Sequence, residues 1–89
     1  MDTNMSLFNQ INSLCFWFQS ETTYHCLITL DSEKDTYVIK LKDQHLTIYE
    51  QQIVRLSKKT KKLLQIELGS IANSLVHIKE NFALENQSA

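Results

Sequence analysis

The stretch TTYHCLITLDSEKDTYVIKLK, residues 22–42, decides the fold. Over 22–30 it sets Tyr24, Cys26, Ile28 and Leu30 against Thr23, His25, Leu27 and Thr29. That two-residue period, carried by β-branched and aromatic side chains, predicts a strand. DSEKD at 31–35 is a polar turn, after which TYVIKLK at 36–42 places Tyr37, Ile39 and Leu41 on one side and Thr36, Val38, Lys40 and Lys42 on the other. Two alternating runs joined by a short polar loop make an antiparallel hairpin. One of its faces is apolar, and an apolar sheet face has to be covered by a second layer.

Upstream, Leu7, Phe8, Ile11, Leu14, Cys15 and Phe18 fall within an arc of about 120° on a helical wheel, the width of a core-facing stripe. They predict an amphipathic helix over about residues 5–19, with Thr3 or Asn4 as its N-cap. CFWF at 15–18 winds around that helix, because successive residues turn by about 100°. Phe16 therefore projects to the far side beside Met5 and Asn12, and Trp17 lies at the edge next to Leu14.

Downstream, KDQH at 42–45 is a second turn and LTIYE at 46–50 has the pattern of a third strand. Between Gln44 and Leu68 there is no Gly, Pro, Asn or Asp to supply a further turn, which predicts a helix from about Gln51. Leu64, Leu68, Ile71, Leu75, Ile78 and Phe82 follow at spacings of four and three, a heptad-like seam that is expected to pack on the sheet. The lone glycine, Gly69, interrupts the seam, and Ser70 after it is a natural cap. A break there and a C-terminal helix from 70 to about 84 are expected, with a frayed tail at 85–89. The fold class is α+β: an N-terminal helix, an antiparallel sheet of two to three strands, and one long or two shorter C-terminal helices. The chain, residues 1–89, is expected to form one small domain.

With 89 residues, 43% of them apolar and 21% charged, the composition is that of a globular domain. A net charge of -1 supplies no global field for nucleic acid or membrane. Arg55 is the one arginine among nine cationic residues, which argues against base-specific DNA reading. Cys15 and Cys26 lack metal-ligand spacing and read as free thiols in a reducing compartment. Residues 3–20 are uncharged but interrupted by Asn4, Asn9, Gln10, Asn12 and Ser13, and Asp2 stands where a leader would carry a cation. A cytoplasmic location is expected, and the triplets Asn4-Met5-Ser6 and Asn86-Gln87-Ser88 are then chance matches to a glycosylation signal.

No stretch carries a catalytic or cofactor motif. His25 and Cys26 are adjacent, but neighbours in a strand face opposite sides of the sheet, so they form no nucleophile–base pair. His45 and His77 are isolated, and no metal site, cofactor or small-molecule substrate is expected. The chain is read as a non-enzyme.

Two features point to partners. The helix over 5–19 shows Met5, Asn9, Asn12, Ser13 and Phe16 where a wet helix would carry Lys and Glu. Depletion of charge with aromatic and Met enrichment marks the centre of a protein interface, and Trp17 belongs to the residue types that dominate such contacts. The expected function is a protein-interaction module of the adaptor or chaperone-like kind, homodimeric, with Met5, Asn9, Asn12, Phe16 and Trp17 in the contact together with the adjoining sheet edge. The alternative is an anion-binding regulator. RLSKKTKK at 55–62 holds Arg55, Lys58, Lys59, Lys61 and Lys62 with no acid among them, a candidate contact for nucleic acid or anionic lipid. The order of helix, antiparallel meander and closing helix is similar to the small dimeric chaperones of bacterial type III secretion, a likeness of layout that assigns no function.

Overall fold

The computed structural model describes residues 2–87, the last two by backbone alone. Helix α1 (Thr3–Glu21) leads into strands β1 (Tyr24–Asp31), β2 (Thr36–Asp43) and β3 (Leu46–Val54); a 3-10 turn (Leu56–Lys58) and helix α2 (Lys61–Gln87) follow. The strands form an antiparallel sheet in the order β1-β2-β3. The architecture is the expected α+β arrangement with three strands and one long closing helix.

The hairpin alternation sets the sheet's faces. Tyr37, Ile39 and Leu41 of β2 are buried beneath the helices together with Ile53 of β3, while the opposite face stays open and carries Lys40 and Glu50, 3.9 Å apart. Ile11, Leu14, Cys15 and Phe18 of α1 close on Leu68, Ile71, Ala72 and Leu75 of α2 to complete the core. At about 1.5–3 kcal/mol for each fully buried large side chain, these residues dominate the stability of so small a domain.

Several local expectations are corrected. The N-cap of α1 is Asp2, whose carboxylate accepts from Asn4 N–H at 3.1 Å; Asn4 instead is buried, and its side-chain amide donates to the Lys61 carbonyl at 3.2 Å, tying the starts of the two helices together. Residues 51–54 continue β3, and the next helix starts only at Lys61. The turn after β3 needs no Gly or Asn because Arg55 itself takes the left-handed conformation, φ 53°. Its polar groups come from across the sheet: the Asp35 carboxylate accepts from Ser57 N–H at 3.0 Å and from the Ser57 hydroxyl at 2.7 Å, and Leu56 N–H donates to the Asp35 carbonyl. A turn stabilised by a distant residue leaves no signature in its own stretch of sequence.

Gly69 does not break α2. A mid-helix glycine costs about 1 kcal/mol relative to alanine, whereas burial of Leu68, Ile71 and Leu75 on either side of it is worth several times that. The seam therefore stays continuous. The helix is preceded by Thr60, whose hydroxyl accepts from Leu63 N–H at 3.1 Å, and runs past the expected end at 84 to Gln87. The tail expected to fray is thus helical at its start, and 88–89 lie outside the described residues.

Candidate functional site

The aromatic side chains of CFWF diverge in their surroundings. Trp17 lies half-buried on the flank of α1 that faces α2, edge-on to Phe18 at 5.2 Å and to Phe82 at 6.0 Å, with the Lys79 ammonium 4.7 Å from its ring centre. Tyr24 joins the same aromatic group, stacking on Phe18 at 5.9 Å. Phe16, one residue earlier, is 73% exposed. The fold shelters one ring and leaves its neighbour in solvent.

Phe16 is part of a stripe. Met5, Asn9, Asn12 and Phe16 are spaced by four, three and four residues, which puts them within an arc of about 60° on a helix. All four are exposed, Met5 at 54%. The stripe is turned by about 110° around α1 from Trp17, and its Met5–Asn12 half borders β1. There Met5, Phe8, Asn9 and Asn12 line a groove of about 440 Å³ with Ile28 and Leu30 of β1. Tyr37 contributes to its lining from β2, and Leu56 from the 3-10 turn. Leu30, on the inward-facing side of its strand, is nonetheless 64% exposed, because no side chain covers it in the groove.

The strand beside this groove is an edge of the sheet. Its pairing with β2 is uninterrupted from Tyr24↔Asp43 to Asp31↔Thr36, and the outward backbone groups of residues 25–30 bond to nothing among the described residues. Edge strands are ordinarily protected by Lys, Pro, a bulge or brevity. This one is eight residues long and has none of the other three devices.

Two cysteines meet behind the groove. Cys15 is buried and Cys26 half-buried, and neither is in a disulfide. A hydrogen bond between the thiols, with burial, raises the pKa of Cys15, while the same bond lowers that of Cys26. His25 lies on the other face of the sheet, exposed. Among the described residues no three His, Cys, Asp or Glu side chains gather in a way that could hold a metal ion, and no helix is long and apolar enough to cross a membrane.

The basic run changes character in three dimensions. Lys59 lies 3.2 Å from Glu67, and Asp35 is hydrogen-bonded to Ser57. A segment without acids in sequence thus has two carboxylates set into it in space. Arg55, Lys58, Lys61 and Lys62 form no ion pair among the described residues, but they are spread over a turn, a 3-10 segment and the start of α2. The stripe on α1 has no such counterpart: nothing in the sequence from 3 to 20 is charged. Sequence reasoning found the stripe from its missing charges; the groove and Leu30 had no signal, because both depend on where α1 comes to rest over β1.

No family model, curated protein or solved structure matches this chain.

Proposed function

We propose that this protein is a non-enzymatic interaction module of the adaptor or chaperone-like kind that associates with a second copy of itself through the exposed stripe of α1 and the edge of β1. The observation that carries this reading is the charge-free, partly apolar surface formed by Met5, Asn9, Asn12 and Phe16 beside an unprotected strand. Leaving a phenylalanine in water forgoes about 1.5–3 kcal/mol of burial, a large fraction of the stability of so small a domain. A surface that only had to stay wet would be better served by Lys and Glu. Of the residues expected at the contact, Met5, Asn9, Asn12 and Phe16 belong to it; Trp17 is assigned to the aromatic group between the helices.

Sedimentation of the wild type and of Phe16→Asp, with circular dichroism on both, tests the reading. The wild type should sediment as a dimer, and Phe16→Asp as a folded monomer. A variant as strongly associated as the wild type would remove Phe16 from the contact. Trp17→Asp should instead lower the melting temperature, since it dismantles contacts within the chain.

The anion-binding alternative finds less support, because Glu67 and Asp35 already occupy two positions in the basic segment. Phosphate or vesicle binding that weakens steeply with salt and is lost in Lys58→Glu/Lys62→Glu would favour it.

A further inference from the structure

The stripe on α1 is a palindrome in spacing. Reading Met5, Asn9, Asn12 and Phe16 from either end gives the same intervals of four, three and four residues. Two antiparallel copies of such a helix, related by a two-fold axis midway between Asn9 and Asn12, set Met5 of each against Phe16 of the other and Asn9 against Asn12. A two-fold contact requires a surface that complements itself, and this one does: the most exposed ring faces the methionine lining the groove of the opposite copy. At the centre, side-chain amides offer both donors and acceptors. Charge would defeat the arrangement, since a two-fold axis brings residues near it against their own kind. None is present.

The strand obeys the same axis. Asn9, Asn12 and Ile28 all line the groove, which places the middle of the helical stripe near Ile28. Antiparallel pairing of β1 with its copy about Ile28 sets Ile28 against Ile28 and Cys26 against Leu30. This register keeps the inward faces of both sheets on one side, as a buried face demands. Together, the edge of β1 and the flank of α1 make a face about 27 Å long and 20 Å deep, given strand rise and the usual sheet-to-helix spacing. That is about 500 Å² per copy, enough for a specific contact of about 1,000 Å² in total.

Resting on the self-association proposed above, we infer that the partner is a second copy docked antiparallel about one two-fold axis through Asn9/Asn12 and Ile28, so that the two sheets join edge to edge into one of six strands. Charge exchange across the axis tests it. Met5→Lys and Phe16→Glu should each weaken the dimer at least about tenfold. The double variant Met5→Lys/Phe16→Glu should restore association to within about threefold, now weakened by salt. Positions 5 and 16 of one helix are about 16 Å apart along its axis, so rescue requires the antiparallel neighbour; a parallel pairing would set lysine against lysine. Asn9→Asp with Asn12→Lys repeats the test should either exposed-site variant fail to fold by circular dichroism. Amide exchange across 25–30 should be at least about tenfold slower in the wild type than in the Met5→Lys monomer.

The outcomes separate the two ideas. A wild type that is monomeric at all concentrations overturns self-association and this geometry with it. Single variants that dissociate while neither double variant recovers leave self-association standing and overturn the antiparallel register. Rescue with unprotected β1 amides overturns the edge-to-edge sheet.

Discussion

The two edges of the sheet are built differently. β3 carries a register irregularity opposite Leu41/Lys42, where Ile48 is passed over in the pairing; it bears Glu50, Gln51 and Gln52, and the turn after its end at Val54 is anchored by Asp35. β1 runs straight, without lysine or bulge, beneath a helix flank devoid of charge. Both strands pair with the same central strand, so the sheet itself does not require the asymmetry. One edge is guarded against addition of a further strand and the other lacks such a guard.

That contrast can be broken or sharpened by substitution. The largest effect is expected where both edges depend on one residue. Ile39, fully buried in β2, should lose about 2–5 kcal/mol on replacement by alanine, read as a fall in the urea midpoint, and association should disappear with the fold. Next comes Tyr37, also in β2 and on the groove. Its hydroxyl is buried without a hydrogen-bond partner among the described residues, and burial, with smaller contributions from Cys15 and Cys26, pushes its pKa up from 10.0 to about 12. A raised folded-state value means that the stabilising neutral form is fully present below the unfolded value. Stability is then lost as pH rises from 10 to about 12, by up to about 3 kcal/mol. Tyr37→Phe should abolish that share of alkaline unfolding and be at least as stable as wild type at pH 7, because it removes an unsatisfied group.

A smaller effect is expected at the guarded edge. Asp35→Ala removes the acceptor of the Ser57 hydrogen bonds and leaves alanine at φ 57°, for a loss of about 1–3 kcal/mol in denaturant titration without change in the proposed self-association. Smallest in stability is a matched pair of edge charges. Leu27→Lys on β1 and Gln52→Lys on β3 both lie on exposed positions of the open face and should stay within about 0.5 kcal/mol of wild type. Only the first should weaken the proposed self-association. Equal effects on sedimentation would erase the distinction between the edges.

The helical stripe of α1, the hairpin faces and the seam of α2 are all legible as period, since 3.6- and two-residue repeats name the side that must leave water. Leu7 to Phe18 and Tyr37 to Leu41 could hardly be read otherwise. The extension of β3 through 51–54 could not be read, because it depends on Ile53 finding the core and on Asp35 reaching Ser57 from twenty-two positions away. Gly69 was misread for a related reason: local propensity speaks of about 1 kcal/mol, and the burial that outweighs it is a property of the assembled layers.

For the candidate site the division is the same. The sequence alone determined that α1 would show an uncharged surface, since charge is a property of residues and needs no coordinates. Only the tertiary structure decided that Phe16 stays in water while Trp17 is half-buried among other rings, and that the stripe borders a groove beside an unguarded edge. Burial and neighbourhood are set by which element packs on which flank, and that choice is made by the free energy of the whole core rather than by any one segment.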